Sequence, residues 1–130
     1  MPLTLTTRLI GDVTVIDVAG RLALGPAPVA LRELLQEAMV GGARKILLNL
    51  SELSFVDSSG LGELAAGYTN AKHKGSALKI VGVPKRVQEL LQMTGLSRVL
   101  DIHDEESGAL RSWGVNPSEV ARVGTLKSST

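Results

Sequence analysis

The sequence DSSGLG, residues 57–62, contains the side chains of this chain that are best suited to chemistry. It places an acid, Asp57, directly before two hydroxyls, Ser58 and Ser59. Such a trio could cap a helix, supply a nucleophilic serine, or present a hydroxyl to the active site of another protein. Each use requires different surroundings, so the rest of the sequence has to decide among them.

A nucleophilic serine requires a base within hydrogen-bond reach, and the chain has two histidines. His73 belongs to the same predicted helix as Ser58 and lies roughly 22 Å along it, at about 1.5 Å per residue. His103 follows another predicted strand and stays a candidate, because the ends of parallel strands meet at one edge of a sheet. The strained glycine-flanked turn of serine hydrolases is missing. A hydrolase is therefore disfavoured, and a small enzyme would need a role for His103.

A cofactor site is another possible use of this segment, because GLGELA, residues 60–65, matches the G-x-G-x-x-G/A string of dinucleotide-binding folds. That fingerprint should follow its strand immediately, whereas a loop of about nine residues is expected here. The chain lacks the Gly-Lys-Ser/Thr step of a phosphate-binding loop, and it lacks paired metal ligands at useful spacing. We predict no cofactor, no metal and no catalytic residue, and hence a protein that is not an enzyme.

Helix capping accounts for one of the three polar residues. An Asp or Ser at the N-cap accepts a hydrogen bond from a free backbone N–H and contributes about 1 kcal/mol. Neither serine has Glu or Gln three residues later, so the reciprocal capping box is absent. We expect Ser59 to be the cap, which leaves Asp57 and Ser58 for another role.

The composition restricts the class of protein. A chain of 130 residues is expected to form one domain with a real core. A net charge of +1 argues against electrostatic binding to nucleic acid or to an anionic membrane. The lack of cysteine favours a reducing compartment, and no apolar run approaches the roughly 20 residues that cross a bilayer. We predict a cytoplasmic protein that binds neither nucleic acid nor membrane.

Hydrophobic periodicity predicts alternating strands and helices. Strands are expected at 3–9, 13–19, 45–50, 77–83 and 97–102, and helices at about 26–40, 84–94 and 104–113. A further helix is expected after Ser59, with Leu61, Leu64, Ala65 and Tyr68 on one side, and it is expected to run to about Lys74. The Gly11-Asp12 step predicts a hairpin between the first two strands. The order indicates an α/β fold, a mostly parallel sheet of about five strands (first strand antiparallel) with four helices packed against it. The domain is expected to span residues 1–112, and residues 113–130 are expected to be a flexible tail.

The sequence LNLSELSFVDSSGLGEL, residues 48–64, resembles the signature of bacterial anti-sigma factor antagonists of the STAS-domain family. The resemblance extends over about residues 3–112 and includes ALKIVGV and VQELLQMTGLSRVLDI. It implies a single STAS domain in which Ser58 is phosphorylated by an anti-sigma factor with serine kinase activity. It further implies that a separate serine phosphatase removes the phosphate. The unphosphorylated antagonist would capture the kinase and thereby release a sigma factor to RNA polymerase.

The resemblance also implies a partner-binding surface around the start of the second helix. The expected contact residues are Asp57, Ser58, Ser59, Gly60, Leu61, Gly62, Glu63 and Ala66. Of these, Gly60, Gly62, Glu63 and Ala66, together with Gly67, are expected to face outward and to let a partner approach the backbone closely. Phosphorylation would add about −1.5 to −2 charges beside Asp57, and like charges at an interface are costly. We therefore predict release by local repulsion without refolding.

One step of the sequence departs from the family pattern. Relatives usually have acids after the second strand, whereas GRLAL, residues 20–24, has Arg21 and Ala23 at the matching places. In relatives that acid helps to contact the kinase or its nucleotide. Either the partner of this chain carries a different charge, or the contact is made elsewhere. The alternative function is a STAS docking or scaffold subunit of a transport or signalling complex.

Overall fold

The computed structural model describes residues 2–118 and, for the backbone alone, residues 122–129. The elements are β1 (Leu3–Ile10), β2 (Val13–Leu22), α1 (Pro26–Val40), β3 (Lys45–Val56), α2 (Ser58–His73), β4 (Ala77–Val81), α3 (Lys85–Thr94), β5 (Ile102–His103), α4 (Glu106–Ser112) and β6 (Arg122–Ser129). A 3-10 turn, Leu96–Arg98, lies between α3 and β5. None of the helices within these ranges is both long enough and apolar enough to cross a membrane.

The strands form one sheet in the order β5-β4-β3-β2-β1-β6. β1 pairs antiparallel with β2 and with β6, and the pairs from β2 to β5 are parallel. The predicted α/β architecture, with an antiparallel first strand and four α-helices, is confirmed for the described residues. Gly11 turns the β1–β2 hairpin with a φ of 58°, which favours a residue without Cβ.

Alternating side chains divide the apolar residues of the sheet between two cores. Ile16 of β2 and Leu48 of β3 face the core formed with α1, α2 and α3. Val15 and Leu47 face the smaller core on the other side, which α4 covers with Ala109 and other residues. Because β3 is covered on both faces, its first half is a continuous apolar run and does not alternate with polar residues.

β3 is longer than predicted, and this changes how the candidate site is connected. It continues beyond residue 50 to Val56, which pairs with Leu22 at the end of β2. The β2–β3 register shifts at two places, and a bulge moves the buried positions out of strict alternation. Leu53 and Val56 are buried, whereas the residues between them are exposed, so the strand lacks its usual period. The expected nine-residue loop is therefore wrong, and Ser58 begins a helix two residues after the strand ends.

The predicted strand at 97–102 is mostly wrong. Gly95 has a φ of 79° and opens the 3-10 turn, in which Arg98 N–H bonds to the Gly95 carbonyl at 3.2 Å. These local hydrogen bonds use backbone groups that a strand would direct at its neighbour. The fifth strand is thus reduced to Ile102–His103, paired with the end of β4.

Of the flexible tail expected at 113–130, residues 119–121 and 130 lie outside the described residues, and residues 122–129 form a strand and not a flexible tail. Residues 122–129 form β6, which pairs antiparallel with β1 along most of its length. The physical reason is the free edge of β1, whose unpaired N–H and C=O groups can take a further strand. No regular period in the sequence predicts this strand. The proposed domain boundary at residue 112 stays a prediction.

Candidate functional site

Asp57, and not Ser59, is the N-cap of α2. Its backbone is extended (φ −113°, ψ −172°), and its Oδ1 accepts a hydrogen bond from Gly60 N–H at 3.1 Å. The Ser59 hydroxyl donates to the same Oδ1 at 2.6 Å. The expected capping role of Ser59 is wrong because the helix already begins at Ser58, which puts Ser59 inside the first turn. Ser59 instead holds the carboxylate that performs the capping.

The second oxygen of Asp57 reaches a different part of the chain. Its Oδ2 accepts a hydrogen bond from Leu24 N–H at 2.8 Å, which ties the loop after β2 to the start of α2. The Ser59 hydroxyl, and then the N–H groups of Leu24 and Gly60, stabilise the carboxylate and lower the pKa of Asp57 to about 2. Asp57 is therefore ionised at neutral pH, although none of its donors is a charged group.

Gly60 allows this part of the backbone to approach closely. A Cβ at Gly60 would lie 2.1 Å from the Leu22 carbonyl oxygen and 2.6 Å from Val56 Cγ2. Gly60 is buried, as are Leu61 and Gly67, so the expectation that Gly60 and Gly67 face outward is wrong. Gly60 brings the start of α2 against the ends of β2 and β3, and Gly67 lets the middle of α2 approach Leu35 of α1.

Ser58 is exposed at the first position of α2, and its hydroxyl has no hydrogen-bond partner among the described residues. No hydrogen bond joins Ser58 to His103 among the described residues, and His103 Nε2 lies instead 2.9 Å from Asp101 Oδ1. The sheet order also places β4 between β3, which precedes Ser58, and β5, which carries His103. Ser58 is thus accessible from outside and is not hydrogen-bonded to a base within the described chain. No group of three or more His, Cys, Asp or Glu in the described ranges could hold a metal ion.

The surface beside Ser58 is made of small residues and one apolar side chain. Gly62 and Ala66 are exposed along α2, as predicted. Glu63 is only partly exposed, since it forms a bidentate pair with Arg32 of α1, with both contacts at 2.9 Å. Leu24 is 86 % exposed although its backbone is held by Asp57. Leu24 was not among the contact residues expected from the sequence. The signal that could have indicated it is a leucine within a loop of small residues, glycine and proline.

A family model described as the STAS domain matches residues 4–109. This chain belongs to the STAS-domain family. It is 29 % identical over 96 residues to the anti-sigma-B factor antagonist of Bacillus subtilis (strain 168), over 74 % of this chain and 86 % of that protein. The resemblance inferred from the sequence is therefore confirmed at the level of the family.

Two solved structures show that this STAS chain shares its fold with antagonists. An anti-sigma factor antagonist from Mycobacterium paratuberculosis has a TM-score of 0.70 and 24 % identity, over 82 % of this chain and 92 % of that one. The Bacillus cell fate determinant SpoIIAA in its phosphorylated form has a TM-score of 0.64 and 23 % identity, over 83 % and 98 % of the two chains. At these identities the likeness concerns the fold.

Proposed function

We propose that this STAS domain is a phosphorylation-switched anti-sigma factor antagonist. Its unphosphorylated form binds and sequesters an anti-sigma factor that is also a serine kinase, and this frees the sigma factor. Phosphorylation of Ser58 abolishes the binding, and a serine phosphatase restores it. The observation that carries the proposal is the exposed Ser58 hydroxyl, which has no hydrogen-bond partner in the described chain and lies beside the ionised Asp57.

The geometry favours Ser58 as a substrate over Ser58 as a catalyst. A substrate hydroxyl must be accessible and needs no base of its own, because the kinase supplies the base and positions the hydroxyl. Gly62 and Ala66 leave little bulk beside it, so another protein can approach the helix. The names of the relatives support an anti-sigma factor as the partner class.

Leu24 extends the proposed contact surface beyond the residues predicted from the sequence. Its side chain is 86 % exposed, and the hydrogen bond from its N–H to Asp57 holds the backbone of Leu24 in place. Because this backbone is already ordered before binding, less conformational entropy is lost when a partner buries the side chain. We include Leu24 with Asp57, Ser58, Ser59, Gly62 and Ala66 in the partner-binding surface.

The charge balance explains how phosphate could release the partner. A phosphoserine adds about −1.5 to −2 charges at neutral pH, and the N-terminus of α2 tolerates an anion in the free domain. In an interface the phosphate would be desolvated beside the Asp57 carboxylate, at a cost of several kcal/mol. A loss of about 3–4 kcal/mol would weaken binding by 100-fold or more. The fold itself need not change.

The decisive experiment incubates the chain with ATP and the kinase encoded by the same organism, and locates phosphate by mass spectrometry. We expect labelling of the wild type and of Ser59→Ala, and none of Ser58→Ala. Calorimetry should then show binding by unmodified protein and at least 100-fold weaker binding by the phosphorylated form. Equal affinities of the two forms, or labelling that depends on Ser59 alone, would contradict the proposal.

Two further measurements test the absence of refolding and the scaffold alternative. Amide spectra of the phosphorylated domain should differ from those of the free domain near residue 58, and broad shifts across the sheet would contradict local release. Stable association with a transport or signalling complex, unchanged by Ser58→Asp, would instead favour a scaffold subunit.

A further inference from the structure

A mainly apolar groove of about 360 Å³ lies between the carboxyl end of β3 and the outer side of α3. Its walls include Phe55, Leu90 and Met93. The side chain of Met93 is 82 % exposed and that of Phe55 is 41 % exposed. We call this feature the Phe55–Met93 groove.

The rim of the Phe55–Met93 groove carries two arginines. Arg21 is opposite Phe55 in the β2–β3 register, and its Cζ lies 4.3 Å from the centre of the Phe55 ring. Arg86 lines the groove from α3. In the described part of the chain, neither guanidinium forms an ion pair with a carboxylate. Glu89 is the one acid among the groove-lining residues, so the rim with Arg21 is net positive.

The groove and Ser58 lie at the same end of β3. Val56, the last residue of β3, lines the groove, and the next residue, Asp57, caps α2. A protein that covers Ser58 therefore approaches the edge of the sheet where the groove begins. The interface around Ser58 has small residues there, whereas the groove offers the larger apolar area that interface hot spots use.

We propose that the Phe55–Met93 groove takes an apolar side chain of the same partner that docks at Ser58, and that a neighbouring carboxylate of that partner pairs with Arg21. This inference rests on the proposed function and specifies the chemistry of the partner. Arg21 acts as a specificity residue: it attracts a partner with an acid at this place and repels one with a base.

The positive rim argues against a second copy of this chain as the occupant. In a symmetric dimer the same patch lies on both sides of the contact, so two net positive rims would be brought together. Like charges across an interface are unfavourable. A segment of a different protein that carries an apolar side chain and an acid is complementary to both features: the apolar side chain fills the groove and the acid pairs with the arginine rim.

The test uses the full chain, unphosphorylated, with the kinase shown to label Ser58, and measures the dissociation constant by calorimetry. Met93→Glu and Arg21→Glu are each expected to weaken binding about tenfold or more, as for hot-spot residues. Arg21→Lys keeps the charge and should change binding by less than about threefold.

Val40→Glu is the matched control, because Val40 is 85 % exposed at the far end of α1 and should leave binding unchanged. A partner in which the facing acid is replaced by arginine should bind Arg21→Glu better than wild type.

The outcomes separate this inference from the proposed function. If Ser58 is labelled and the partner binds, but Met93→Glu and Arg21→Glu bind like wild type, the groove is not part of the interface and the proposed function still stands. If no kinase labels Ser58, both proposals are overturned. If sedimentation shows a wild-type dimer that Met93→Glu dissociates, the occupant is a second copy and the inference is wrong.

Discussion

Asp57 at the carboxyl edge of the sheet and Asp17 on the face covered by α4 are both held in place by hydrogen bonds, but their donors differ in charge. The donors to Asp57 are a hydroxyl and two backbone N–H groups. Asp17 accepts from the Arg8 guanidinium at 2.7 and 3.0 Å and from the Asn49 amide at 2.9 Å. Both carboxylates are ionised at neutral pH, but only the Asp17 carboxylate is paired with a cation.

The Asp17 region is an ion-pair cluster in which β1, β2 and α4 meet. Arg8 of β1 also donates to Glu106 of α4, so one guanidinium binds two carboxylates. Burial alone would raise the pKa of Asp17, but the hydrogen bonds from Arg8 and Asn49 and the charge of Arg8 lower it below its ordinary value. The same contacts raise the pKa of Arg8 further above its ordinary range. The cluster thus stabilises α4 on the sheet.

The Asp57 carboxylate is not paired with a cation in the described part of the chain. Its donors orient the carboxylate and order the first turn of α2, yet they supply no full positive charge. A phosphate added at Ser58 would therefore meet an anion that no side-chain cation among the described residues neutralises. Both carboxylates thus have a lowered pKa, but the consequences differ. A charged donor, as at Asp17, forms an ion pair that stabilises the fold. Neutral donors, as at Asp57, leave the negative charge of the carboxylate available for a switch.

Gly60→Ala is expected to have the largest effect on stability and would test how rigidly the Asp57 region is built. The new Cβ would lie 2.1 Å from the Leu22 carbonyl oxygen, a backbone atom that cannot rotate away. We expect a loss of about 3 kcal/mol in the free energy of unfolding, measured by urea denaturation. Gly62→Ala is the matched control, since nothing lies within 4 Å of its added Cβ. It should stabilise the helix by up to about 1 kcal/mol. Similar values for both variants would show that the close approach is unimportant.

Arg8→Gln should have the next largest effect, because it leaves Asp17 and Glu106 without their shared cation. We expect a loss of about 2 kcal/mol in the free energy of unfolding at pH 7. The control is Lys45→Gln, which removes an ion pair to the largely exposed Asp12 and should cost less than about 1 kcal/mol. Equal losses in the two variants would contradict the stabilising role assigned to the Arg8 cluster.

Asp57→Asn is expected to have the smallest effect and a specific pH dependence. Asparagine can still cap α2, but it loses one accepted hydrogen bond, so we expect a cost of about 0.5–1 kcal/mol at pH 7. Because the folded pKa of Asp57 is lowered to about 2, its stabilisation is present above the unfolded pKa of about 4. That stabilisation is lost as the pH falls towards 2. The difference between wild type and variant should therefore disappear in acid. A constant difference down to pH 2 would contradict the assignment.

Most of the fold could be predicted from local patterns. The hairpin at Gly11, the helix that Pro26 opens and the buried strand from Lys45 follow from turn residues and hydrophobic periods. At the candidate site, the exposure of Gly62 and Ala66 was predicted correctly. The cap was assigned to the wrong residue, because the sequence did not show where β3 ends and α2 begins.

The sequence by itself determined the order of the elements from β1 to α4, the α/β class and the position of Ser58 near the start of a helix, because these depend on neighbours within a few residues. The tertiary structure alone decided the bond between Asp57 and Leu24, the burial of Gly60 and the pairing of Arg8 with Glu106. It also decided the length of β3 and the strand at 122–129. Those features join residues that are distant in the chain, and no local period records which distant backbone or charge a residue will meet.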